Sequence, residues 1–150
     1  MHNTHNPEIL RGLHAAMIDL VDEINRPRRD DRLIEEAGIP LDRALFPLLA
    51  RIGRFGPIGV VDLADRVGRD HTTISRQMAK LEELGLIERR PSAADGRVRE
   101  AIVSEKGQAM VDALNAARQR LANRILASWT EAELDTLRTL LRRFADDLMR

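Results

Sequence analysis

The sequence predicts a mainly α-helical chain carrying one small β-hairpin. Three observations predict it. Apolar residues recur at spacings of three and four through most of the 150 residues, the period of an amphipathic helix. The pattern changes once, at Leu86–Arg90 and Val98–Val103, into two short strand-like runs separated by a loop with an Asp95-Gly96 turn signal. Charged residues make up 32% and aromatics only 3%, with no Tyr, a profile that favours helices over sheets.

The elements follow in order. Ile9, Leu10, Leu13, Met17, Leu20, Val21 and Ile24 line one stripe of a helix from about Pro7 to Asn25, interrupted only by Gly12. Arg26 to Asp31 read as a charged break. A short helical piece is expected at Arg32 to Ala37, stopped by Gly38 and Pro40. Leu41 to Gly53 read as a helix with Leu45, Leu48, Leu49 and Ile52 inward. Pro47 inside it removes a hydrogen bond, so the helix should start late or bend there. Gly53 to Pro57 is a turn. Val60 to Val67 is a short helix ended by Gly68. Asp70 is an N-cap for a helix that runs to about Leu84 and stops at Gly85. The hairpin comes next. Ser104 then caps a helix reaching Ser128. Thr130 and Glu133 form a capping box that opens a last helix, with Leu134, Leu137, Leu140, Leu141, Phe144 and Leu148 on one side.

Composition excludes several function classes. Without Cys there are no disulfides, thiolate metal sites or Cys nucleophiles. No apolar run approaches the ~20 residues that span a bilayer. The first residues carry neither a basic n-region nor an apolar h-region, so no signal peptide is expected and the chain is expected to be cytoplasmic, with no membrane partner. The chain has 24 basic and 24 acidic residues, which argues against a diffuse polyanion binder but not against a local basic site.

Helix, turn, helix and hairpin, over about residues 55–103, make a winged helix-turn-helix. Its second helix suits the DNA major groove, which is about 12 Å wide. Ile74, Met78 and Leu81 hold that helix from below. Thr72, Thr73, Arg76, Gln77 and Lys80 lie opposite, placed to read bases or grip phosphate, and His71 starts the helix within reach of either. The hairpin offers Arg89, Arg90, Arg97 and Arg99 against three acids, with Arg97 at the turn. The plainer reading is a solvated face in which Arg76 and Lys80 merely pair with neighbouring acids.

The stretch LADRVGRDHTTISRQMAKLEELGLIERRPSAADGRVR, followed by VSEKG, resembles the MarR (multiple antibiotic resistance regulator) family of transcription factors. Leu81-Glu82, Gly85-Leu86-Ile87, Arg89, Asp95, Arg97 and Ser104-Glu105-Lys106-Gly107 carry the resemblance, in order and at the family's spacing. It implies that Thr72, Thr73, Ser75, Arg76 and Gln77 belong to the recognition helix. It also implies that Arg97 enters the minor groove while Asp95 orients basic side chains near it. Two departures stand out: Asp70 occupies a cap position often filled by Ser, and Pro47 sits in a helix that is usually unbroken. The resemblance further implies one domain over 1–150, with dimerisation helices at about 7–25 and 104–150, and repression relieved by a small aromatic or amphipathic acid. The terminal apolar stripes fit either a homodimer or the completion of a monomeric core.

The remaining candidates point to no chemistry. His2 and His5 lie in a polar tail, and His14 adjoins the first apolar stripe as a packed or pocket residue. Trp129 and Phe144 read as core or interface. No metal site, cofactor site or nucleophile constellation is expected, so the chain is not read as an enzyme. Two classes remain: a dimeric regulator of double-stranded DNA, and a non-DNA-binding helical interaction protein with a winged-helix shape.

Overall fold

The computed structural model describes residues 4–150; His2 lies outside them. In chain order the elements are α1 (Pro7–Ile24), α2 (Pro27–Ala37), α3 (Phe46–Phe55), α4 (Val60–Val67), α5 (His71–Glu83), β1 (Ile87–Pro91), β2 (Arg99–Val103), α6 (Glu105–Ile125) and α7 (Glu131–Leu148). The mainly helical class with a two-stranded hairpin is as the sequence predicts.

The start of α2 departs from the sequence reading, and that of α3 takes one of the two courses expected at Pro47. The segment Arg26–Asp31 is not a break, because α2 begins at Pro27. Proline is tolerated at the first helical position, where its missing N–H has no helical partner anyway. The charges face outward, and Glu23 pairs with Arg26 at 3.2 Å and Arg29 at 3.4 Å across the α1–α2 junction. The helix read from Leu41 starts late, as Pro47 led one to expect: it begins at Phe46, with Pro47 in its first turn. The preceding residues form a turn on Asp42, whose carboxylate accepts the Ala44 N–H at 2.8 Å and whose carbonyl accepts those of Leu45 and Phe46. Leu41 and Leu45 are buried all the same.

The core joins α3, α4 and α5 to the hairpin. Leu49, Ile52, Leu63, Ile74, Met78, Leu81, Leu86 and Leu114 are fully enclosed. Each contributes about 1.5–3 kcal/mol through its burial. β1 and β2 pair antiparallel from Ile87 opposite Val103 to Pro91 opposite Arg99, one residue later in β1 than expected. Ile58 extends the sheet by a single bridge: it exchanges hydrogen bonds of 3.1 and 2.8 Å with Ala101.

The chain forms two compact units, Met1–Ala117 and Arg118–Arg150. In the second unit Thr130 and Glu133 make the expected capping box, with reciprocal bonds of 3.0 and 3.1 Å. Helix α6 ends at Ile125, three residues short of the expected Ser128. Trp129 is exposed and Phe144 half-buried. Among the described residues, no helix is long and apolar enough to cross a membrane.

Candidate nucleic-acid interface

Helices α4 and α5 are joined by a tight turn at Gly68, which takes the left-handed conformation (φ 68°) as the C-cap of α4. Asp70 then caps α5. One carboxylate oxygen accepts the Thr73 N–H at 2.8 Å, and the other accepts the Thr73 hydroxyl at 2.7 Å. The Thr73 hydroxyl is the main reason the Asp70 carboxyl lies below its ordinary pKa. The Thr73 N–H adds to this, and the charge of Arg76 contributes less. Asp70 and Thr73 are thus turned toward one another, and the acid at the cap position serves the helix itself.

One side of α5 is the core triplet Ile74, Met78 and Leu81. The other exposes His71, Thr72, Ser75, Arg76 and Lys80, with Thr73 and Gln77 half-buried at its border. Lys80 stands 3.8 Å from Glu83, and His71 Nε2 stands 3.9 Å from Asp65. The Arg76 guanidinium makes no hydrogen bond or ion pair among the described residues. Of the two cations suspected of pairing along the helix, only Lys80 does so.

The loop joining the strands is longer than a two-residue turn. The Val98 N–H donates to the Asp95 carbonyl at 3.0 Å, and the Arg97 N–H donates to the Asp95 carboxylate at 3.1 Å. Ser92 holds the other side: its N–H donates to the Val98 carbonyl, and its Oγ accepts from Ala94 and Asp95. Asp95 therefore shapes the backbone on which Arg97 is presented, and the Arg97 guanidinium is exposed without a partner among the described residues.

The other wing arginines differ from one another. Arg89 lies opposite Ala101 on the face shared with buried Ile87, and its Nε is enclosed without a hydrogen-bond partner. Arg90, opposite Glu100, is exposed and pairs with Glu88 at 3.3 Å. Arg99 donates to the Arg89 carbonyl at 3.3 Å. One basic cluster was not read in the sequence: Arg66 stacks over the Phe55 ring at 3.9 Å and Arg54 at 4.8 Å. Arg66 comes from α4 and the other two from α3, so no sequence spacing announces the group.

A capped helix with an apolar underside, an exposed polar face, and beside it a wing with a free arginine at its tip form the winged helix-turn-helix arrangement. Comparisons with known proteins agree. The sequence model of the MarR family matches residues 41–98. YxaD of Bacillus subtilis (strain 168), described as an uncharacterized HTH-type transcriptional regulator, is 33% identical over 103 residues. That is 69% of this chain and 72% of YxaD. The chain belongs to the MarR family. A solved structure of a MarR family protein from Bacillus stearothermophilus matches with a TM-score of 0.80 at 18% identity, over 98% of this chain and 100% of the other. That likeness concerns the fold. The crystal structure of MarR matches with a TM-score of 0.69 at 25% identity, over 100% of this chain and 96% of MarR. As a MarR family member the chain is a DNA-binding transcriptional regulator, not an enzyme.

Proposed function

We propose that the chain acts as a homodimeric, ligand-responsive repressor of a pseudo-palindromic operator. The observation that carries the dimer is the exposure of α1 and α7, two 18-residue helices without a single buried residue. Ile9, Leu10, Leu13, Leu20, Val21 and Ile24 are exposed on α1, as are Leu137, Leu140, Leu141 and Leu148 on α7. Apolar rows of that length are costly to leave in water, and a second copy covers them. Two-fold pairing also sets two α5 helices about one DNA turn, roughly 34 Å, apart.

On this reading His71, Thr72, Ser75, Arg76, Gln77 and Lys80 face the major groove and Arg97 enters the minor groove. Arg90 and Arg99 contact phosphate beside the wing, while Asp70, Thr73, Asp95 and Arg89 hold these residues in place. Repression relieved by a small aromatic or amphipathic acid is the mode the family favours, and residues 1–150 act as one functional domain in the cytoplasm. Light scattering coupled to size exclusion, followed by a gel shift on duplexes enriched from a random pool, tests the proposal. A species of twice the 16.9 kDa chain mass that shifts DNA as one complex supports it. A monomer that shifts DNA equally well contradicts the dimer.

A further inference from the structure

Helix α5 and helix α6 are joined more tightly than a loop between a reading element and its support requires. Helix α5 ends in a complete Schellman motif. The Leu86 N–H donates to the Leu81 carbonyl and the Gly85 N–H to the Glu82 carbonyl, both at 2.9 Å, with Gly85 at φ 75°. The motif's last three residues, Leu84, Gly85 and Leu86, leave three consecutive carbonyls at the end of the helix. All three are taken by the start of α6. Lys106 Nζ donates to Leu84 O at 3.1 Å, Ser104 Oγ donates to Gly85 O at 2.5 Å, and Ser104 N donates to Leu86 O at 3.0 Å. Ser104 Oγ at the same time accepts the Gly107 N–H at 3.0 Å, so one hydroxyl caps α6 and ties it to the end of α5. Gly107 is buried against this turn, and a Cβ there would collide with the Leu86 carbonyl oxygen.

We propose that this joint fixes the pitch of α5 on α6, making Ser104, Lys106 and Gly107 positioning residues for DNA reading. The inference rests on the reading of α5 as the recognition helix. The ammonium of Lys106 sits against the negative end of α5, where it neutralises the carbonyl dipoles. Its task is to hold the end of the helix, not to contact phosphate. Because hydrogen bonds at three successive carbonyls leave the end of α5 no separate hinge, a tilt of α6 carries α5 with it. Any event that moves α6 therefore changes the angle at which Arg76 and its neighbours meet a base edge. A change of angle costs sequence-specific contacts, while unspecific attraction to phosphate is unaffected.

The test uses the full chain and a duplex that the wild-type protein enriches from a random pool, with a scrambled duplex as reference. For Lys106→Met we expect affinity for the enriched duplex to fall about three- to tenfold. Affinity for the scrambled duplex should stay within about twofold, and the slope of log affinity against log salt should be unchanged. Lys106→Arg should restore most of the loss. If Lys106 is a phosphate contact, both duplexes weaken together and the slope falls by about one, which overturns the proposal. Unchanged affinity for both duplexes overturns it as well. Ser104→Ala should act like Lys106→Met, with Ser104→Thr close to wild type; should Ser104→Ala fail to fold, the Lys106 pair decides alone. A wild-type chain that enriches no sequence overturns the recognition-helix reading itself, and the positioning role with it.

Discussion

On the proposed reading, two arginines that make no ion pair or side-chain hydrogen bond among the described residues divide the work at the residue scale. Arg76 lies on the exposed face of α5, where the proposed bidentate contact to guanine would discriminate by about 1–3 kcal/mol. Arg97 sits on the wing loop, where the minor groove offers negative potential but a degenerate pattern of bases. Arg76→Ala should therefore weaken an enriched duplex by about 1–3 kcal/mol and unrelated DNA by much less. Arg97→Ala should weaken both by similar factors and lower the salt slope by about one. Fluorescence anisotropy over a salt series separates the two, and an unchanged specificity ratio for Arg76→Ala would remove Arg76 from the reading face. Asp70 adds a pH dependence. Its folded pKa lies below its ordinary value, so the cap contributes stability above the unfolded pKa and loses it as pH falls through the folded one. Chemical denaturation should show the Asp70→Asn difference constant from neutral pH to about pH 5 and shrinking below about pH 4, close to the ordinary carboxylate pKa. A difference that grows on acidification would contradict the assigned sign.

At the scale of elements, α5 is held by its underside. The Leu81 side chain is fully enclosed, so Leu81→Ala should cost about 2–5 kcal/mol in urea unfolding. A loss below about 1 kcal/mol would show that the helix is held elsewhere. The helices with clear punctuation were legible in the sequence. Gly68, Asp70, Gly85 and the Thr130–Glu133 box mark ends that the structure keeps, because each cap depends on local chemistry alone. The reading failed at Pro27, where a charged run was taken for an interruption although the proline opens α2; at Pro47 the late start expected of the helix is the one the structure has. The Ile58–Ala101 bridge and the Phe55 stack were invisible for another reason: they depend on residues brought together only by folding. In the candidate site, the exposed face of α5 was readable from the 3.6-residue period, and the position of Arg97 from the Asp95-Gly96 turn signal. The inward placement of Arg89 was not, since it depends on strand register.

For the whole molecule, the proposed dimer rests on the exposed rows of α1 and α7. If they form the interface, Leu140→Glu together with Leu148→Glu should reduce the solution mass to that of one chain at micromolar concentration and weaken operator binding sharply. Both positions are more than half exposed, so the folded monomer itself should tolerate them. A double variant that keeps the dimer mass would place the interface elsewhere. Dimerisation and DNA reading meet in one quantity, the symmetry of the preferred sequence. The most direct measurement is therefore in vitro selection from a random duplex pool by the full chain, followed by sequencing. The account predicts an enriched inverted repeat whose half-sites are centred about 10 base pairs apart. Enrichment of a single unrepeated half-site, or of no sequence at all, would contradict it.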